Sequence, residues 1–357
     1  MKGIEWVRTI NEKLLDDESK RIFASRVLYS YTGDINYLYA LGTFFKNQVL
    51  SSEEWLSFIN KLKNENTDLV IYGAGAYGKK IIEAAKDIKF KAVIDGNPIN
   101  KDLNGIQVIN TNDFLKNYDG EAIVIPSKRY FEEMKKLLIE NGIDETKIID
   151  GTVLYNLTEG KQYFDLKELP HIQGQEVFAD IGSCDGMSSV QFMEWCNHNG
   201  KCYCFEPDSN NEKLLQKNMA EKNLKVGVDF SVICRGAWDE ETSLSFVSTG
   251  TGSSHIAGVY GEAEQEVETL QVTTIDKELK DKNVTFIKMD IEGAELKALH
   301  GAEEVIKEFK PKLAICVYHK AEDIWEIPEY ILKVRPDYKF YIRHYSFEAS
   351  ETVLYAI

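Results

Sequence analysis

Seven short apolar runs dominate the second half of the chain and leave few folds open to it. Five of them, EVFADIG, KCYCFEP, DFSVICRGAW, NVTFIKMDI and KLAICVYH, are separated by helical patterns. The last two, KFYIRHYSF and TVLYAI, are joined by a short connection around Ala349 and Ser350. A nearly unbroken apolar run suits a strand buried on both faces, and strands alternating with helices pair in parallel. Two strands with a short connection form an antiparallel hairpin. Residues 153–357 are therefore expected to form a five-stranded parallel sheet completed by a terminal hairpin.

A smaller unit of the same kind precedes it, over residues 67–152. Its strands are DLVIYG, KAVIDG, EAIVIP and KIID, with helices KKIIEAAKDI and YFEEMKKLLIENG between them. The first turn reads Gly73-Ala74-Gly75-Ala76-Tyr77-Gly78, a G-x-G-x-x-G between strand and helix. Such a loop lets a phosphate approach backbone N–H groups at a helix N-terminus. Asp95 closes the second strand, where a carboxylate accepts hydrogen bonds from ribose hydroxyls. Residues 1–66 read as a helical arm rich in aromatic side chains, including Trp6, Phe23, Tyr31, Tyr39 and Trp55. Such an arm packs onto a domain or onto a second subunit, and is compatible with a homodimer.

Charge narrows the partners. Acidic residues outnumber basic ones 58 to 42, for a net charge of −16, which disfavours a nucleic-acid partner. No window reaches the roughly 18 apolar residues of a membrane span, and the opening MKGIEWVRTINEKLLDDESK has no apolar signal core. The six cysteines, all at or after Cys184, form no C-x-x-C pair, so buried free thiols in a reducing cytoplasm are expected.

The chemistry gathers at the ends of the C-terminal strands, where an open α/β sheet binds its ligands. The first strand ends Asp180-Ile181-Gly182-Ser183-Cys184-Asp185-Gly186, a D-x-G-x-x-x-G turn whose glycines allow close approach of a ligand. Asp180 can accept a hydrogen bond from an ammonium group, directly or through water. Glu206, twenty residues past Gly186, ends the second strand where it can hold two ribose hydroxyls. The third strand carries Ala237 and Trp238, either of which would lie near an adenine ring, although a tryptophan there is equally a core residue. The fourth ends Lys288-Met289-Asp290-Ile291-Glu292-Gly293-Ala294-Glu295. Glu292 and Glu295 have an adequate role in opposing the dipole of the following helix; Asp290, closing an apolar strand, needs a partner. The fifth ends in His319, on the same edge. Residues Ser248 to His255 read either as a mobile loop over the site or as a plain polar connection.

From about Glu176 to Ile357 the chain resembles the FkbM family of methyltransferases, through FADIGSCDG, FEP, IKMDIEGAE and VYHK…DIWEIP. That resemblance implies a class I Rossmann-like fold that binds S-adenosylmethionine (SAM), and O-methylation, often of sugars. Asp180, Gly182, Gly186, Glu206 and Asp290 match its motif positions, and Ser183 lies within the same turn. Residues 67–150 resemble the small Rossmann-like domain that precedes some sugar acyltransferases, through IYGAGAYGKKI, VIDGNP and NGIQVI. This second resemblance implies a site for a nucleotide-linked sugar, with Gly75 and Asp95 at matching positions and Gly73 and Gly78 completing the turn, or an inherited scaffold that binds nothing.

The expected reaction is methylation of a hydroxyl on a carbohydrate or sugar-bearing small molecule or glycan. His319 and Asp290 are the candidate bases, with Glu292 as orienter, and a metal-free route is favoured over one using a divalent ion. Two other readings compete. One is an NAD(P)-dependent oxidoreductase using the first glycine-rich turn, and the other is a non-catalytic sugar-nucleotide-binding protein.

Overall fold

The computed structural model describes residues 2–247, 255–256 and 268–357. Its chain divides into two compact units, Thr43–Lys161 and Met1–Gly42 together with Gln162–Ile357. This division departs from the boundaries expected at 66 and 152. Helices α1 (Lys2–Lys13) and α2 (Asp17–Thr32) belong with the C-terminal unit rather than to a separate arm. Asp16 caps α2 by accepting from the Ser19 amide at 2.8 Å, and Gly33, at φ 71°, ends it. Ile10, Leu14, Ile22 and Phe23 then enter the same buried cluster as Ile315, Ile342 and Leu354. Three polar contacts pin α2. Buried Arg26 donates to Thr352 Oγ1 at 2.7 Å and to the Ala349 carbonyl, and Arg343 reaches Asp16 at 2.5 Å. Of the aromatics expected to anchor the arm, Phe23 does so, while Tyr31 and Tyr39 are exposed.

Within the N-terminal unit lie six strands: β1 (Leu69–Tyr72), β2 (Phe90–Asp95), β3 (Asp102–Leu103), β4 (Ile106–Asn110), β5 (Ala122–Ile125) and β6 (Ile148–Asp150). Their order is β3-β4-β2-β1-β5-β6, parallel throughout except for the β3–β4 hairpin. That hairpin turns at Asn104 and Gly105, both at positive φ, and it was not legible as strand from its short, polar sequence. Residues 153–161, expected to open the C-terminal domain, pack here instead: the helix Val153–Leu157 contacts the helices Glu53–Lys63 and Ala76–Ala84.

The C-terminal unit is built on seven strands: β7 (Glu176–Ile181), β8 (Gly200–Phe205), β9 (Phe230–Ile233), β14 (Phe286–Met289), β15 (Lys312–Cys316), β16 (Phe340–His344) and β17 (Thr352–Ala356). Their order is β16-β17-β15-β14-β7-β8-β9, with β16 and β17 antiparallel as expected. Successive residues of β7 feed opposite faces. Ala179 and Ile181 join the core that receives α1 and α2, and Phe178 stacks on Phe192 at 4.5 Å in the other. Strands β10 (Gly236–Ala237), β11 (Thr242–Val247), β12 (His255–Ile256) and β13 (Glu268–Thr273) form a separate four-stranded sheet inserted between β9 and β14. Its existence is a departure from the sequence reading, which ran Asp229 to Trp238 as a single strand. The expected loop from Ser248 lies outside the described residues, save for the backbone of His255 in β12.

Strand order places the site. From β7 the chain moves outward to β8 and β9, then returns to β14 on the other side of β7, so the carboxyl ends of β7 and β14 flank a topological switch point. Among the described residues, no helix is long and apolar enough to cross a membrane.

Candidate active site

The turn after β7 is left-handed at Gly182 (φ 80°), Cys184 (φ 47°) and Gly186 (φ 80°). A Cβ on Gly182 would stand 2.1 Å from the Asp290 carbonyl oxygen, and one on Gly186 would stand 2.9 Å from Leu215 Cγ. Both positions therefore require glycine for space as well as for φ. The Gly182 and Ser183 amides donate to the Phe205 carbonyl at 3.1 Å, tying this turn to the end of β8. Ser183 is buried, and its hydroxyl donates to the Asp180 carbonyl at 2.8 Å, so its side chain shapes the turn.

Asp180 is fully buried beneath the turn. One carboxylate oxygen lies 3.2 Å from Lys288 Nζ, and the other accepts from the Ser188 and Ser189 hydroxyls at 2.6 and 2.7 Å. Lys288 also donates to the Gly182 carbonyl at 2.7 Å. Burial works to lower the pKa of Lys288, but Asp180 and then Asp290 outweigh it and hold the ammonium charged. Asp180 thus acts on the turn through Lys288, a residue the motif reading passed over.

Glu206 sits at the mouth of the same turn, nearly buried. It accepts from the Cys184 amide at 2.8 Å through one oxygen and from the Asp208 amide at 2.9 Å through the other. Burial nevertheless pushes its pKa up to about 7, because those amides, with Asn211, only partly offset the lost hydration. Each oxygen already has a donor, and the carboxylate is held dry beside the turn. Ala237 lies in β10 of the small inserted sheet, with Trp238 directly after it, and neither is at the end of β9. Ala237 is buried, and the Trp238 ring packs beside Leu270 and Val272, with Lys297 Nζ 5.5 Å from its centre.

Across the switch point, β14 and β15 bring the remaining predicted residues together. Asp290 receives Tyr163 Oη at 2.8 Å and Tyr318 Oη at 3.2 Å, one on each carboxylate oxygen. Burial would raise its pKa, but the Lys288 ammonium, followed by His319 and the Tyr163 hydrogen bond, holds it below the ordinary range. His319 Nε2 lies 3.5 Å from Asp290 and 3.7 Å from Glu292, and Nδ1 lies 2.9 Å from Glu295. Desolvation alone would lower the His319 pKa, yet Glu295, Asp290 and Glu292 together raise it to about 9. At neutral pH the imidazole therefore carries its proton, which opposes the general-base part expected of it. Glu295 is the second omission. Read from the sequence as a helix-start charge, it is fully buried and turns back to the Ile291 amide at 2.9 Å. Tyr163, 127 residues before Asp290, sits in no recognisable motif and had no sequence signal.

In the N-terminal unit, Gly73 (φ 120°) and Gly78 are required by the turn, since a Cβ on Gly78 would stand 2.0 Å from the Gly73 carbonyl oxygen. Gly75 precedes the helix Ala76–Ala84. Asp95 accepts from the Ala74 amide at 2.9 Å, and both residues line a cleft of about 210 Å³ with Gly75 and Asn97.

A seven-stranded sheet in this order, with a glycine turn and an acidic strand end at its switch point, is the arrangement of the class I SAM-methyltransferase fold. Residues 180–347 match the Methyltransferase FkbM domain, which supports a SAM-dependent methyltransferase. Residues 65–149 match the C2185-like N-terminal domain. No curated protein matches the chain. Among solved structures it is similar to an FkbM methyltransferase from Methylobacillus flagellatus, at 20% identity and TM-score 0.47, over 91% of this chain and 100% of that one. It is also similar to the fibrillarin of Aeropyrum pernix with natively bound SAM, at 12% identity and TM-score 0.35, over 54% and 71%. A third is a SAM-dependent methyltransferase from Aquifex aeolicus, at 15% identity and TM-score 0.32, over 58% and 98%.

Proposed function

We propose that the enzyme methylates a hydroxyl group on a carbohydrate or sugar-bearing acceptor. The observation that carries this reading is the polar wall of Asp290, Glu292 and His319 beside the Gly182 turn. Half-buried carboxylates with fixed partners are good acceptors for the closely spaced hydroxyls of a sugar. SAM, when bound, supplies an electrophilic methyl group, and the overall reaction leaves S-adenosylhomocysteine, the methyl ether and one proton. Glu206 and the Gly182–Gly186 turn hold the cofactor, with Asp180 and Lys288 fixing that turn from beneath. Asp290 accepts the hydrogen bond of the acceptor hydroxyl and so orients its oxygen, which supplies much of the rate in a transfer that depends on alignment. His319 holds Asp290 and Glu292 in place and balances their charge.

The test is incubation of the full chain with methyl-labelled SAM and a panel of sugars, glycosides, amines and thiols. Label fixed as an ether on a sugar hydroxyl is the expected product. Label on nitrogen or sulfur alone would refute the reading.

A second reading concerns the N-terminal unit. Its cleft beside Gly75 and Asp95 has the place and polarity for a nucleotide-linked sugar, in keeping with the turn from Gly73 to Gly78. A thermal shift of the full chain by uridine diphosphate sugars, lost in Asp95→Ala, would support it. No shift alongside a clear response to SAM would leave a scaffold.

A further inference from the structure

We propose that Asp290, Glu295 and His319 form a divalent-cation site of the Mn²⁺ or Mg²⁺ type at the acceptor side of the SAM cleft. One ligand atom from each of the three lies within 4.8 Å of the others. A cation with bonds of about 2.1 Å spaces its ligands by roughly 3 Å when adjacent and 4.2 Å when opposite, so modest side-chain rotations close this set on an ion. The arrangement also carries unmet valence. His319 is 4% exposed, and although its Nδ1 pairs with Glu295 Oε1 at 2.9 Å, neither ring nitrogen meets a partner in hydrogen-bonding geometry; Glu295 Oε2, in a side chain with no exposure, also lacks a hydrogen bond. Buried polar atoms without hydrogen bonds are costly, and here they lie in the same cluster as the Asp290 carboxylate, 3.5 Å from His319 Nε2.

The neighbouring lysines do not answer this need. Lys288 Nζ is committed to Asp180 and the Gly182 carbonyl, and Lys320 Nζ to the Gly293 carbonyl. Glu292, 3.7 Å from His319 Nε2, adds negative charge at the rim. Two carboxylates and one imidazole suit a hard cation better than a thiophilic one. The inference rests on the reading that the acceptor hydroxyl approaches this edge. A cation there would act as a Lewis acid on the acceptor oxygen, whose proton leaves to solvent, and would remove the need for a strong protein base. It replaces the metal-free route expected from the sequence, which took Glu295 for a simple helix-start charge.

The experiment uses the full chain, stripped with EDTA, desalted and titrated with Mn²⁺ while free ion is followed by electron paramagnetic resonance. One Mn²⁺ per chain is expected, displaced by excess Mg²⁺, with nitrogen modulation in the spin echo from a directly bound imidazole. Asp290→Asn and His319→Ala should each weaken Mn²⁺ at least tenfold. No saturable binding up to millimolar Mn²⁺ overturns the proposal, and so does binding without imidazole nitrogen coupling, whatever the variants do. Calorimetry with S-adenosylhomocysteine on the same preparation separates the two readings. Nucleoside bound without Mn²⁺ removes the cation site alone, and neither bound removes the cofactor cleft as well.

Discussion

Replacing Glu206 with Gln tests the cofactor site most directly, because the change is nearly isosteric and the charge is the point at issue. Hydrogen bonds to a charged acceptor contribute about 1.5–3 kcal/mol each, against about 0.5–1.5 for neutral ones. For two ribose hydroxyls the difference sums to about 2–3 kcal/mol, or roughly 30- to 150-fold in affinity. The Gln amide retains one acceptor for the Cys184 or Asp208 amide, so the turn should persist. The pH dependence supplies a second readout. With a pKa near 7, the Glu206 carboxylate of the free protein is mostly ionised at pH 8 and mostly protonated at pH 6. If the ionised form holds the ribose, affinity should fall by up to about tenfold between those values. Glu206→Gln should remove that component, leaving only the titration of the ligand's own amine. The assay is calorimetric titration with S-adenosylhomocysteine at pH 6, 7 and 8. A folded Glu206→Gln protein with wild-type affinity, or with an unchanged pH slope, would refute the argument. The same pKa bears on stability. Because the folded value lies above that of the unfolded chain, the contribution of Glu206 is fully present below about pH 4.5 and is lost as pH rises through 7. The unfolding midpoint of unliganded Glu206→Gln should therefore gain on wild type between pH 5 and pH 8.

Further expectations follow from the other contacts. Lys288→Met strands the fully buried Asp180 carboxylate and should cost about 3–5 kcal/mol in chemical denaturation. Adding Asp180→Asn should recover most of that loss, and a single variant as stable as wild type would disprove the coupling. Gly182→Ala, with its Cβ 2.1 Å from a backbone oxygen at φ 80°, should lower the unfolding midpoint and weaken SAM binding more than tenfold. Equal affinity would show that the turn does not bear on the cofactor. His319→Ala should lower turnover by roughly 10²-fold, because Asp290 and Glu292 lose the group that positions them, while S-adenosylhomocysteine affinity changes little. A parallel loss of affinity would move His319 from the acceptor side to the cofactor side.

Local pattern carried much of this molecule. The seven main strands of the C-terminal unit are legible because burial on both faces demands unbroken apolar runs. Gly182 and Gly186 are legible because left-handed turns beneath neighbouring backbone exclude a Cβ. Asp290, Glu292 and His319 are legible because polar residues closing apolar strands share one edge of a parallel sheet. What escaped depends on packing between residues distant in the chain. Whether α1 and α2 form an arm or part of a core is decided by whose side chains meet Ile10 and Phe23, which a helical period does not record. The inserted sheet splits a run that reads as one strand, because β10 takes its partner from β13, some 35 residues away. Electrostatics escaped most completely. Asp180 has the same letter whether it faces a ligand or Lys288, and Glu295 the same letter whether it caps a helix in water or closes on His319. The order of residues specifies which groups reach the edge of the sheet. Only the tertiary structure decides which of them lose their water, and that loss determines which groups are left with charge and valence to bind a ligand.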